Sequence, residues 1–154
     1  MNKVINPVAK TSMIIRRPVN EVFDSFVDPE KITKFWLSKT TGPLGPGKSV
    51  TWHFMVEGAV TKMDVLKFEL NKQIDFKWED GSVSELRFDK IDDNKSIIDI
   101  KTYGFAGSPE EMMEAAIDNT SGFTIVICDL KTYLEEGRSM NICRDKAELI
   151  TREI

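Results

Sequence analysis

The run Gly42-Pro-Leu-Gly-Pro-Gly47-Lys48-Ser49 has two glycines four residues apart followed by Lys and Ser, the spacing of a loop that cradles phosphates. Such a loop works when a strand precedes it and a helix follows, so that backbone N–H groups and the helix N-terminus converge on the anion. Here the segment follows a helical pattern and enters a strand pattern, and Pro43 and Pro46 have no N–H to offer. The run therefore predicts a plain loop with no nucleotide. His53 is the only histidine, which excludes a metal site built from two or more imidazoles. Alternation along its strand turns it away from Trp52 and Phe54, toward solvent or a sheet edge. No Gly-x-Ser-x-Gly motif supplies a nucleophile, so no catalytic residue and no cofactor is assigned. Cys128 and Cys143 lack Cys-x-x-Cys spacing and read as reduced thiols.

Carboxylates act as acids or bases when burial raises their pKa. Glu85 and Asp99 fall on the outward side of their strands beside Arg87 and Lys101, where solvated cross-strand pairing accounts for them. Glu110, Glu111 and Glu114 read as the acidic start of a helix. The residues left to form a site are apolar. Trp36, Trp52, Phe54, Phe76, Trp78, Leu86, Phe88, Ile100, Met112, Phe123 and Ile127 are the candidate ligand-binding set. Trp36, Trp78 and Phe123 are expected to meet at an open end under the Met112-Met113 segment, where aromatic rings and methionines suit an adaptable apolar guest. Ser84, Thr102 and Tyr103 are the few polar groups that could point inward.

These residues need elements to position them. Ser12-Met-Ile-Ile-Arg16 reads as a strand, ended by Arg17-Pro18. Val19, Val22, Phe23 and Phe26 then recur at helical spacing; Asp28-Pro29 breaks the helix, and Ile32, Phe35 and Trp36 mark a second short one. From Ser49 the period becomes two. Turns are expected at Glu57-Gly58, Leu70-Asn71-Lys72, Asp80-Gly81 and Asp92-Asp93-Asn94, giving a five-strand meander with the first strand as a sixth. Ser108-Pro109-Glu110-Glu111 starts a helix, expected as a short lid from Met112 to Ile117. Phe123 to Cys128 is β-branched and locally strand-like, yet Phe123, Ile127, Leu130 and Leu134 keep helical spacing and Gly137 stands at a C-cap position. A strand would scatter these side chains over two faces and a helix gathers them, so 118–137 is predicted helical. Residues 138–154 are mostly polar, with a short helix or frayed chain around Asp145 to Glu153.

A chain of 154 residues with 41% hydrophobic and 30% charged residues, free of low-complexity linkers, is expected to form one α+β domain over 1–154 with a core of about 10–137. The net charge of -4 argues against nucleic acid. The N-terminus lacks the apolar run of a signal peptide and no stretch is long enough to span a bilayer, so a cytoplasmic location without membrane contact is expected.

Ile15-Arg-Arg-Pro-Val-Asn-Glu-Val-Phe23, Phe35-Trp-Leu37, Lys72-Gln-Ile-Asp-Phe-Lys-Trp78, Ser121-Gly-Phe123 and Leu130-Lys-Thr-Tyr-Leu-Glu-Glu-Gly137 together resemble the START-like superfamily, and within it the branch similar to the C-terminal domain of the activator of heat-shock protein 90 ATPase. The resemblance implies a helix-grip fold: a curved antiparallel sheet of about six strands around a long C-terminal helix, with two short helices after strand one. It also implies a mostly apolar cavity between sheet and helix that takes a small hydrophobic ligand. The alternatives it carries are a chaperone or other protein partner in a stress-response setting, and a cavity enzyme of cyclase, hydrolase or lyase type. A monomer or weak homodimer is expected. One departure from the branch is Gly122-Phe123, where relatives often carry tryptophan after the glycine, so more room is expected at that end.

Overall fold

A computed structural model describes residues 5–153; the reading of the extreme N-terminus, Met1 to Val4, and the final residue, Ile154, lie outside the described residues. The chain runs β1 (Ala9–Ile15), α1 (Val19–Val27), α2 (Pro29–Phe35), β2 (Leu37–Thr40), β3 (Ser49–Phe54), β4 (Val60–Glu69), β5 (Gln73–Lys77), β6 (Val83–Asp92), β7 (Lys95–Tyr103), α3 (Pro109–Glu136) and α4 (Ile142–Arg152). All strands pair antiparallel in one open sheet of order β1-β7-β6-β5-β4-β3-β2. This is the helix-grip arrangement, with a seventh strand beyond the six expected. The addition is β2, four residues that leave α2 directly and pair Leu37 with Phe54 and Thr40 with Trp52. A strand that short carries almost no periodicity, which is why the sequence assigns its residues to no element.

Alternation along the strands builds the inner face from Val50 and Trp52, Met63 and Val65, Ile74 and Phe76, Leu86 and Phe88, and Ile98 and Ile100, all buried. On β4, Leu66 points outward as alternation from Val65 requires, and a register shift between Val65 and Lys67 marks a bulge that turns Phe68 back in, edge-on to Phe23 at 5.3 Å. The helices α1 and α2 plug one end of the sheet: Phe23 and Phe26 set their rings 5.1 and 5.8 Å from Phe88, and Asp28 caps α2 by accepting the Glu30 N–H at 2.9 Å.

The remaining face is covered by α3, one unbroken helix of 28 residues in place of the expected short lid followed by a separate helix. Its start is fixed by a capping box between Ser108 and Glu111 with Pro109 in the first turn, and its end by Gly137 in the left-handed region at φ 76. Asn119, Thr120, Ser121 and Gly122 are indifferent helix formers, but the capped start before them and the packed turns after them carry the helix through. The β-branched run is accommodated because Thr124 Oγ1 returns a hydrogen bond to the Thr120 carbonyl (2.7 Å) and meets Thr11 Oγ1 of β1 (2.7 Å). Phe123, Val126, Ile127 and Leu130 enter the core.

The C-terminal end of α3 is clamped to β1. Lys131 Nζ donates to the Ile14 carbonyl (2.8 Å) and to Glu135 Oε2 (2.5 Å), and the Arg16 N–H donates to the same carboxylate (3.2 Å). Burial pushes the Glu135 carboxyl up, but the Lys131 and Arg16 contacts outweigh it and leave its pKa below the ordinary 4.5. A depressed carboxylate stabilises the fold above its unfolded pKa, and that contribution is lost as the pH falls through the folded value. Glu135→Gln is expected to cost about 1 kcal/mol at pH 7. Thermal unfolding at pH 7 and in mild acid should show the gap from wild type closing below pH 4.5; a gap independent of pH would mean that the carboxylate charge contributes nothing.

Candidate functional site

Trp36 follows α2 as its C-cap residue, at φ -128 and ψ -57, outside both the helical and the extended regions, and stands at the corner where the chain turns into β2. There it packs 4.8 Å from Trp52, 5.5 Å from Phe123 and 6.3 Å from Phe54. Trp78 closes the group from the other side, 5.1 Å from Phe76, 5.8 Å from Trp52 and 6.3 Å from Phe123. The predicted meeting of Trp36, Trp78 and Phe123 is present. Of the candidate set, Trp52, Phe76, Leu86, Phe88, Ile100 and Ile127 are packed in the core, Trp36 and Phe123 are buried at its boundary, and Phe54 and Trp78 are half-buried at the opening. Met112 is half-buried one turn into α3 and lines neither space described below; the opening is bordered by Asn119 and Gly122 of α3 instead.

Open space begins where the rings stop. A hollow of about 170 Å³ runs over Trp36, Trp78, Phe123 and Val126. Beside it lies a cleft of about 630 Å³ between α3, α4 and the Met55–Ala59 turn joining β3 to β4, with Trp36, Phe54, Val126, Ala147 and Ile150 as its apolar walls and Asp118, Lys146 and Glu153 at its rim. The two spaces share Trp36, Gly122 and Val126. The volume of the cleft lies in the range of sites that take a small organic molecule, and the hollow alone is smaller than that range. Gly122 is their common floor: it is helical and exposed, and a Cβ built on it meets nothing within 4 Å. The wall supplied by α4 was missed from sequence, although Cys143, Ala147 and Ile150 recur at helical spacing and signal it.

The polar groups near the opening are already occupied. Trp78 Nε1 donates to Ser84 Oγ (2.8 Å), which is hydrogen-bonded to Thr102 Oγ1 (2.7 Å), and both hydroxyl residues are fully buried. Tyr103 faces the other side of the sheet under Lys101 Nζ, 5.5 Å from the ring centre; burial first, and then Glu85, hold its hydroxyl pKa above the usual value, so it stays protonated. A hollow of about 480 Å³ on that outer face is floored by charges, with Glu85 opposite Lys101 and Arg87 opposite Asp99, as the solvated pairing anticipates. The Cys143 thiol is pushed well above its usual pKa by burial and then by Asp129. Both cysteines are free. Among the described residues no group of three His, Cys, Asp or Glu side chains is placed to hold a metal ion, and no helix is long and apolar enough to cross a membrane.

The glycine-rich segment joins two strands, β2 and β3, and so has a strand before it where a helix was expected, but no helix after it. Three of its N–H groups are spent within the fold: Leu44 on the Val27 carbonyl, Lys48 on the Gly45 carbonyl and Gly42 on Thr40 Oγ1.

The family model described as Activator of Hsp90 ATPase homolog 1-like protein matches residues 16–135. Among solved structures, the protein SSP2350 from Staphylococcus saprophyticus is similar with a TM-score of 0.76 and 25% identity, over 87% of this chain and 96% of that one. The Aha1 dimer from Colwellia psychrerythraea has a TM-score of 0.73 at 14% identity, over 86% and 99% of the two chains. DynU16, from the dynemicin biosynthetic locus, has a TM-score of 0.73 at 15% identity over 86% of this chain and 48% of its own. The last two likenesses show the fold. No curated protein matches the chain.

Two outcomes follow from this geometry. Because Gly122 is helical with open space beyond it, Gly122→Ala should raise stability by about 0.5–1 kcal/mol, read as a higher thermal midpoint. A lower midpoint would show that this part of α3 cannot take a side chain. Calorimetry of the wild-type protein with ATP and magnesium should give no heat of binding; micromolar binding abolished by Lys48→Ala would restore the phosphate-loop reading.

Proposed function

The chain belongs to the Activator of Hsp90 ATPase homolog 1-like family, and on that footing we propose that it binds a small apolar or aromatic molecule in the cleft between α3, α4 and the β3–β4 turn, performing no chemistry on it. The observation that carries this reading is the wall of the cleft. Trp36 and Phe54 present ring surface at its floor, and Gly122 withholds a side chain where any other residue would fill the space. Half-buried aromatic faces beside a concave apolar space fit a flat hydrophobic guest better than water. The absence of chemistry is supported by Ser84 and Thr102, whose hydroxyls are committed to Trp78 and to each other, well below the opening. Of the remaining candidate residues, Trp78 and Phe123 border the adjoining hollow, while Trp52 and Phe76 back the rings that touch the guest.

A second reading, contact with a chaperone or other protein, is favoured by Met113 and Ile117, which stand 45% and 62% exposed on the first half of α3. It uses a surface and leaves the cleft empty.

Titration with N-phenyl-1-naphthylamine, a neutral aromatic probe whose emission rises in apolar surroundings, separates the two. Saturable binding at one site is expected for the wild-type protein. Gly122→Leu should weaken it by at least about tenfold, since the new side chain occupies the shared floor, while leaving the thermal midpoint at or above that of wild type. Phe123→Trp should also weaken binding, at a stability cost of about 1–3 kcal/mol from overpacking against Trp36 and Trp78. No saturable binding, or equal binding by Gly122→Leu, would sink the ligand reading and leave partner contact in front.

A further inference from the structure

The second half of the cleft is built by α4, which lies beyond the residues matched by the family model. It contributes Cys143, Lys146, Ala147, Ile150 and Glu153 to the wall. Its own attachment is slight: only Ala147 is buried, and Leu149 and Ile150 remain 55% and 40% exposed. Its N-terminus is also unusual. Asn141, at the N-cap, makes no side-chain capping bond, which leaves first-turn N–H groups to be satisfied from elsewhere.

One of them is satisfied from α3. Asp129 is fully buried, and its Oδ2 accepts the Cys143 N–H at 3.0 Å. Its Oδ1 accepts Ser139 Oγ at 2.5 Å and Thr132 Oγ1 at 3.2 Å. Thr132 Oγ1 in turn accepts the Met140 N–H, and Ser139 Oγ accepts the Asn141 N–H. One carboxyl group on α3 thus organises the whole connection and caps α4 across space. On either side of that point the backbone takes the left-handed conformation, at Gly137 (φ 76) and at Asn141 (φ 62). Two sharp reversals flanking a few residues, held between them by Asp129 and the Thr132 hydroxyl bonded to it, make a hinge.

We infer that α4 is a lid on the ligand cleft, hinged at 137–141 and pinned by Asp129, and that its inner side selects the guest. This rests on the ligand reading above and adds where selectivity resides. Trp36, Phe54 and Val126 form the fixed wall on the family-matched part of the chain; Ala147 and Ile150 form the movable one. The lid admits a neutral, largely apolar ring system, because Ala147 and Ile150 meet its face while Lys146 and Glu153 stay at the rim in water. A guest touching both walls joins α4 to α3 and must slow the opening of the lid by linkage.

Hydrogen exchange on the full chain, with and without N-phenyl-1-naphthylamine, tests this. In the free protein the α4 amides should exchange together and faster than those of the α3 core, 123–130; saturating probe should slow the α4 group by about tenfold or more. Asp129→Asn, which replaces one accepting oxygen by a donor, should speed α4 exchange by about tenfold, leave the sheet amides unchanged and weaken probe binding by a similar factor. Exchange of α4 at the rate of the α3 core overturns the hinge, whether or not any probe binds. Loss of α4 protection in Asp129→Asn with wild-type probe affinity overturns the selecting wall while the ligand reading stands. Should Asp129→Asn fail to fold, Ile150→Ser, which changes only the exposed wall, should weaken the probe several-fold with α4 protection intact; unchanged affinity again defeats the wall. Failure of the wild-type protein to bind the probe defeats the ligand reading and the selecting role together.

Discussion

Seven antiparallel strands in an open sheet leave one apolar face that must be kept from water, and a single helix crosses most of it. Phe123, Val126, Ile127 and Leu130 of α3 meet Trp52, Phe76, Leu86 and Ile98 of the sheet, and each such side chain contributes roughly 1.5–3 kcal/mol by leaving water. That contact concentrates in the second half of α3. Of the first half, only Ala116 is buried, so 109–122 overhangs the end of the sheet as a rigid extension of a helix anchored elsewhere. The overhang is what frames an opening.

At that end the core finishes in rings instead of branched aliphatic chains. Trp36 turns the corner from α2 into β2, and its plane stands at 65° to Trp52 and 61° to Phe123. Edge-to-face contacts of this kind hold large flat groups in fixed directions but fill space unevenly. With Gly122 above them and no side chain to complete the layer, the packing ends at a concave surface. The connection held by Asp129 then brings α4 back beside this surface, and a feature of packing becomes an open cleft with a second wall.

Much of the architecture was legible because the signals were local and redundant. The turns at Gly58, Gly81 and Asp92 to Asn94, the Ser108 cap and the Gly137 stop each combine a residue preference with a change of period. Long-range balance was not legible. The β-branched run from Thr124 to Ile127 is a strand by propensity and helical by tertiary contact, and the two halves of α3 look separable in sequence because 119–122 are weak helix formers. β2 is too short to show alternation. The aromatic group around Trp36, Trp78 and Phe123 could be foreseen from face assignments. The cleft beside it could not, because that depends on α4, which meets α3 through a buried carboxyl group thirteen residues before the helix begins and carrying no motif of its own.

The hydrogen bond from Trp78 to Ser84 bears on what the opening is suited to do. An indole at the edge of a core is ordinarily free to change rotamer, and a guest arriving beside it must then immobilise it. Here the N–H is tied to a hydroxyl that is tied to a second hydroxyl, all within a sheet whose register fixes Ser84 opposite Thr102. The ring is therefore held in one orientation, and in the binding proposed above the ordering cost of association falls accordingly. The same tie removes the two buried hydroxyls from chemistry, since each already has its partner and neither faces the cleft. Polar groups placed to orient an aromatic ring, and not to meet a reacting atom, are what the proposed binding of an unaltered guest calls for.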